Sequence, residues 1–134
     1  MVRLCILIIP AIYLSCTQEV IKNENFYADK IQKAIGGERE VSVPNGRVDL
    51  VTKEYAFEIE WAWNWKEAVG QSLWYGLQTN KKPGIILIMR QNAEFKYVQQ
   101  LESALQYSNL SEQIHVLLYP TDFDNSPFSI FRYR

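Results

Sequence analysis

The run GRVDLVTKEYAFEIEWAWNWKEAVGQSLWYGLQTNKKPGIILI, residues 46–88, decides the fold. Its first part holds two strand-length segments, Arg47–Thr52 and Tyr55–Trp61, which are rich in Val, Leu, Phe and Ile. Asn64–Gln78 has helical spacing and begins with Asn64 as a candidate N-cap. The continuous apolar segment Ile85–Met89 is typical of a central strand covered on both faces. The run therefore predicts the order β-β-α-β.

Upstream of this run the sequence predicts a helix and a strand. Apolar residues recur at helical spacing over Glu19–Ile35, and Gly36-Gly37 ends that helix. Glu38–Val43 alternates polar and apolar residues, as a half-buried strand does. Pro44-Asn45-Gly46 is a tight-turn sequence, so this strand and the next form a hairpin.

Downstream, a helix is predicted over Ala93–Tyr107 and a last strand over Gln113–Tyr119, while Pro120–Arg134 has no clear period. The full order is α-β-β-β-α-β-α-β. A hairpin meander followed by βαβ crossovers predicts an α/β fold with a mixed β-sheet flanked by helices. We expect residues 16–134 to form a single domain.

The N-terminus has the features of a targeting segment. Leu4–Leu14 is apolar and follows Arg3, and its roughly 11 residues are too few to span a bilayer but suit a signal peptide. Leu14-Ser15-Cys16 resembles the lipobox of bacterial lipoproteins, although Tyr13 departs from that pattern. Residues 1–15 are therefore predicted to be a signal peptide, and Cys16 is the residue that this resemblance implies is lipidated. The mature protein is expected to be exported to the cell envelope. A buried first strand is the alternative, and Pro10 argues against it.

Charge and composition restrict the function classes. Fourteen basic and 15 acidic residues give a net charge of −1, which provides no general attraction to nucleic acid. Local attraction through a bound cation is still compatible with this balance. The single histidine and the two cysteines, without a C-x-x-C pair, argue against zinc.

Three acidic residues are placed where the predicted strands would gather them. Asp49 lies inside the second strand, and Glu58 and Glu60 lie two apart on the third, so their side chains share a face. Neighbouring carboxylates repel each other and are costly among apolar residues unless they hold a cation. Oxygen ligands of this kind suit Mg²⁺ or Mn²⁺. In the plainer interpretation, Asp49 pairs with Arg47 and the two glutamates face solvent.

The motif Asp49…Glu58-Ile59-Glu60 resembles that of the PD-(D/E)xK, or restriction endonuclease-like, nucleases. Gln71 and Tyr75 are similar to the Q-x-x-x-Y motif of the RecB-like members, and residues 23–90 resemble a group of small, often exported, bacterial proteins of that superfamily. The resemblance implies a restriction endonuclease-like core, nucleic acid as partner, and Mg²⁺ or Mn²⁺ held by Asp49, Glu58 and the Ile59 carbonyl.

Glu60 stands where that motif has a lysine, and three alternatives follow. Glu60 could act as the base or bind a second metal. Lys66, near the start of the second helix, could instead reach the site and replace the motif lysine. In the third alternative, hydrolysis has been lost. Gln71 and Tyr75 would contact substrate or support the ligands, and Glu24 is a further candidate acid.

Three functions remain open from the sequence. The first is an exported, Mg²⁺-dependent phosphodiesterase acting on nucleic acid. The second is a catalytically inactive module that binds nucleic acid, a protein or a cell-surface ligand, and the third is an envelope lipoprotein, anchored in the membrane through its lipid. The tryptophans at 61, 63, 65 and 74 are expected to serve packing, with base stacking as the alternative.

Overall fold

The computed structural model describes residues 22–123, which form an α/β fold. The elements are α1 (Glu24–Ile35), β1 (Glu38–Val43), β2 (Gly46–Val51), β3 (Tyr55–Trp61), α2 (Trp65–Thr79), β4 (Lys82–Ile88), α3 (Phe95–Tyr107) and β5 (His115–Tyr119). Short 3-10 turns over residues 62–64 and 92–94 precede α2 and α3. The predicted class and the order α-β-β-β-α-β-α-β are confirmed. The predicted signal peptide, Cys16 and the end of the chain after residue 123 lie outside the described residues.

The five strands form one mixed sheet in the order β1-β2-β3-β4-β5. β1, β2 and β3 pair antiparallel, whereas β3, β4 and β5 pair parallel. The antiparallel part follows from the hairpin turn, in which Asn45 adopts a φ of 57°. The parallel part follows from α2 and α3, each of which returns the chain to the start of the next strand.

Apolar side chains cover both faces of the sheet. On one face, residues of α2 and α3 pack against β4; they include Ala68, Val98 and Leu101, together with Ile85 and Leu87. On the other face, α1 packs through Ala28 and Ile31 against Leu50, Phe57, Ile59, Ile86 and Ile88. The fold is therefore three-layered, and β4 is buried on both sides, as its continuous apolar run predicts.

The ends of the first two helices show how local chemistry sets their limits. Asn23 caps α1, since its Oδ1 accepts a 3.1 Å hydrogen bond from the Phe26 amide, and Gly36 ends the helix with a φ of 75°. Asn64 precedes α2 but makes no capping bond, in contrast to the prediction. Its side-chain amide donates instead to Glu60 at 3.1 Å.

Within residues 22–123, no helix combines the length and the apolar character needed to cross a membrane.

Candidate functional site

The ladder between β2 and β3 is short, and it ends beside the predicted acidic residues. Its register consists of Leu50↔Phe57 and Val51↔Ala56, whereas β3 pairs with β4 along its whole length. Just beyond the last pair, Asp49 Oδ2 accepts a 2.8 Å hydrogen bond from the Ile59 amide. A side chain thus joins the two strands where backbone pairing stops.

Asp49 also marks a change of face within β2. Val48 packs with Ala56 and Tyr75 on the α2 side of the sheet, while Leu50 packs with Ile31 on the α1 side. Residues two apart in a regular strand share a face, so β2 turns about its own axis at Asp49. The backbone pairing of β2 with β3 stops at this turn, where the Asp49 side chain bonds to the Ile59 amide instead.

Arg39 fixes the backbone at this point. Its Nε donates to the Asp49 carbonyl at 2.9 Å, and its Nη1 donates to Asp29 Oδ1 on α1 at 2.7 Å. Through these two bonds Arg39, a residue of β1, connects that strand to β2 and α1. Its side chain is 13% exposed, so the bonds are largely shielded from solvent. Arg39 is not predictable as a site residue, because an arginine in a strand of alternating polarity carries no distinctive pattern.

Asp49 and Glu58 lie in hydrogen-bond contact, and this bond raises the pKa of Glu58 and lowers that of Asp49. Glu58 is 4% exposed, and this burial, together with the charge of Asp49, raises the pKa of its carboxyl to about 9. Burial also raises the pKa of Asp49, but hydrogen bonds from the Ile59 amide and from Glu58 oppose that rise. At neutral pH the proton therefore resides on Glu58, which donates it to Asp49. Glu58 Oε2 is buried without a hydrogen-bond partner.

Glu24 and Glu60 extend the group on the side of α1. Glu60 Oε1 accepts hydrogen bonds from the Trp61 amide at 2.8 Å and from Asn64 Nδ2 at 3.1 Å. Glu24, in the first turn of α1, makes a side-chain hydrogen bond to Glu60. Burial, with the negative charges of Glu60 and Asp49, raises the pKa of Glu24 to about 7. We call Glu24, Asp49, Glu58 and Glu60 the carboxyl cluster.

Helix α2 brings Tyr75 and Gln71 to the same region. The Tyr75 hydroxyl accepts hydrogen bonds from the Gln71 side chain and the Arg47 amide, and Tyr75 is 5% exposed. Burial and the charge of Glu58 raise the pKa of Tyr75. Gly46 permits this approach, because a Cβ at that position would lie 2.7 Å from Tyr75 Cε1. Gln71 Oε1 is buried and has no partner.

Lys66 is not brought to the carboxyl cluster. It is exposed, and its Nζ lies 5.7 Å from the centroid of the Trp65 ring. Among the ion pairs of the described residues, none joins Lys66 to a member of the cluster. The structure therefore brings together Asp49, Glu58, Glu60, Gln71 and Tyr75 of the predicted site residues.

The donor set at the Asp49–Glu58 pair consists of oxygen atoms. Ile59 directs its amide toward Asp49, and because both polar backbone groups of a strand residue point to the same side, its carbonyl faces that edge as well. Across residues 22–123, no three His, Cys, Asp or Glu side chains are arranged as a ready-made metal site. Mg²⁺ is usually bound through one or two carboxylates with several retained waters, so two carboxylates with an unpartnered oxygen fit it.

Comparison with known proteins relates part of the chain to viral proteins. Two KilA-N domain-containing proteins of Acanthamoeba polyphaga mimivirus are similar to it, one with 48% identity over 58 residues and the other with 36% over 56 residues. Each match covers 42% of this chain, and the chain spans 16% and 23% of the lengths of these relatives. No family model matches the chain. No solved structure matches it either.

These relatives correct the family assignment made from the sequence. The acidic motif and Q-x-x-x-Y indicated a bacterial PD-(D/E)xK nuclease, but the similar curated proteins are viral and are named for a KilA-N domain. The assignment to that superfamily is wrong, and so are the function inferred from it, a metal-dependent phosphodiesterase, and the class of signal-peptide-bearing lipoprotein. Cellular location stays a prediction, because neither relative's name addresses it.

Proposed function

We propose that this domain binds nucleic acid through a divalent cation, Mg²⁺ or Mn²⁺, held by Asp49 and Glu58. The observation that carries the proposal is the buried Glu58 carboxyl, hydrogen-bonded to Asp49 and retaining an unpartnered Oε2 at the end of the β2–β3 ladder. A buried polar atom without a partner is rare in folded proteins and calls for an explanation. A cation at this pair supplies that atom with a partner.

Electrostatics supports a cation over a permanently protonated pair. The four carboxyl groups would repel one another if all were ionised. Burial and this repulsion raise the pKa of Glu58 to about 9 and that of Glu24 to about 7. A divalent ion relieves the same repulsion without a proton, and metal binding accordingly releases protons from its ligands. When bound, the cation would neutralise the pair and offer positive charge to a phosphate group.

The surrounding residues have distinct supporting roles in this proposal. The Ile59 amide donates to Asp49 and opposes the rise that burial causes in its pKa, and Arg39 holds the Asp49 backbone. Glu60, oriented by Asn64 and the Trp61 amide, adds negative charge on the α1 side. Tyr75 and Gln71 lie on the α2 side, where the buried Gln71 Oε1 is an acceptor available to ligand or water.

Nucleic acid is the partner that the viral relatives favour. KilA-N domains are generally nucleic-acid binding, and both relatives are named for such a domain. A chain with a net charge of −1 does not attract phosphates as a whole, so its attraction must be local. A cation at the carboxyl cluster replaces local negative charge with positive charge, which attracts a phosphate group.

Fluorescence anisotropy with a labelled DNA oligonucleotide tests this function. We expect binding in millimolar Mg²⁺ that is lost in excess EDTA, and at least tenfold weaker binding by Asp49→Asn and Glu58→Gln. Glu102→Gln, on the exposed surface of α3, is the matched control and should bind like the wild type. Equal binding with and without the cation, or by the wild type and the Asp49 variant, would contradict the proposal.

A further inference from the structure

Two tryptophan rings stack at the end of β3, beside the carboxyl cluster. The Trp61 and Trp63 ring centroids lie 5.0 Å apart with an interplanar angle of 5°. Tyr27 of α1 supports this pair from the side, with its ring edge-on to Trp61 at 5.5 Å. Trp61 is also the residue whose amide donates to Glu60. The aromatic pair and the carboxyl cluster are therefore connected through one hydrogen bond.

Arg90 adds a cation to the aromatic pair. Its Cζ atom lies 4.5 Å from the Trp63 ring centroid and 5.5 Å from that of Trp61. Glu94 holds Arg90 in place. Glu94 is 4% exposed, and its carboxylate accepts a 2.9 Å hydrogen bond from the Arg90 amide. The Arg90 Nε atom lies 3.5 Å from Glu94 Oε1. The guanidinium is therefore positioned by a buried carboxylate, while its side chain remains 46% exposed.

A cavity of about 210 Å³ opens next to these groups. Trp63, Arg90 and Glu94 line it together with Tyr97 and Lys96. Pockets for drug-sized ligands measure roughly 300–1,000 Å³, so this one suits a single flat group rather than a large enclosed ligand. It lies at the carboxyl ends of β3 and β4, where Trp61 pairs with Ile88, and α/β proteins commonly bind ligands at that edge.

We propose that Trp63 and Arg90 form a stacking site for an unpaired base of a single-stranded nucleic acid. This inference rests on the proposed function and names the substrate class for the same surface. Every base has a flat π-face, and bases stack on tryptophan and on arginine guanidinium groups. Lys96 lies on the wall of the same cavity, where its charge favours a neighbouring phosphate. A base in a duplex is already stacked on both sides and would not enter this site.

The test compares two labelled strands that carry the same number of phosphates. One is a 15-mer oligothymidine and the other an abasic strand of equal length, and both are titrated with the wild-type protein in Mg²⁺ by anisotropy. We expect the base-bearing strand to bind roughly tenfold more tightly, within the range that stacking of one base provides. This comparison needs no variant, so it is independent of the effect of any substitution on folding.

Variants then assign the preference to Trp63. Trp63→Ala should reduce the affinity for oligothymidine to that of the abasic strand, whereas Trp74→Ala, whose indole donates to the Pro44 carbonyl instead, should leave the preference intact. Equal binding of the two strands by the wild type would overturn the stacking site while leaving cation-dependent binding in place. Failure of both strands to bind under any cation condition would overturn the proposed function and this inference together.

Discussion

The Asp49 carboxylate accepts a 2.8 Å hydrogen bond from the Ile59 amide, so a side chain connects β2 to β3 beyond their last backbone pair. This bond holds Asp49 beside Glu58, whose carboxyl group is buried. Burial of an acid at such a point costs free energy unless a proton or a cation compensates its charge. Protonation and cation binding differ in their dependence on pH and on chelators, so experiments distinguish these two forms of compensation.

The stability of the cation-free protein should depend on the protonation of Glu58. Its pKa rises from 4.5 to about 9 on folding, so the folded state retains a proton that the unfolded chain loses above pH 4.5. The stabilising effect is therefore complete below pH 4.5 and declines as pH rises to about 9, with a slope of up to about 1.4 kcal/mol per pH unit. Urea unfolding in EDTA at pH 5, 7 and 9 measures this decline.

Glu58→Gln should remove the part of that decline that Glu58 contributes, because the amide cannot ionise. It should leave the smaller decline up to about pH 7 that follows from the raised pKa of Glu24. At pH 8 the variant should be more stable than the wild type by on the order of a few kcal/mol. Glu102→Gln, an exposed substitution, should follow the wild-type curve and serves as the control. Parallel curves for the wild type and Glu58→Gln would show that Glu58 is not a buried, protonated group.

The bond from Asp49 to the Ile59 amide should be measurable by a pair of substitutions. Asp49→Ala leaves the amide without an acceptor, whereas Asp49→Asn keeps an oxygen in its place. We expect the alanine variant to be less stable than the asparagine variant by about 1–3 kcal/mol, the cost of an unsatisfied buried donor. Urea unfolding at pH 6 in EDTA provides the comparison. Equal free energies of unfolding for the two variants would show that this bond does not stabilise the fold.

The packing of β4 against β3 depends on the absence of a side chain at Gly84. A Cβ there would lie 2.5 Å from Phe57 Cε1, and Phe57 is buried under α1, so we expect Gly84→Ala to cost about 1–3 kcal/mol. Gly70→Ala is the matched control, since a Cβ at Gly70 has no neighbour within 4 Å. In the interior of α2 this control should stabilise the protein by roughly 0.5–1 kcal/mol. Thermal unfolding of both variants checks the two signs.

Local chemistry in the sequence was sufficient to predict the order of the elements and the bounds of some of them. β1 and β3 have the predicted limits, and Gly36 ends α1 as expected, because polarity alternation and glycine conformation are local properties. β4 begins at Lys82, three residues before its apolar run, because parallel pairing with Tyr55 extends the strand. That pairing is a tertiary contact and leaves no pattern in the residues concerned.

The candidate site was predictable in its acidic residues but not in their connections. The strand positions of Asp49, Glu58 and Glu60 indicated that the three would approach each other. The change of face at Asp49 and the bond between Asn64 and Glu60 depend on how the sheet twists, which the sequence does not state locally. The family assignment failed because it rested on a few positions, and acidic residues suited to a cation recur in unrelated proteins.

Binding of Mn²⁺ measured by isothermal titration calorimetry at pH 7, in two buffers of different protonation enthalpy, tests the central claim most directly. The account predicts saturable binding that releases about one proton per ion, because Glu58 must give up its proton to act as a ligand. Glu58→Gln and Asp49→Asn should bind far more weakly, and Glu58→Gln should release no proton from this position. Absence of binding to the wild type at millimolar Mn²⁺, or binding without proton release, would contradict the claim that Asp49 and Glu58 hold the cation.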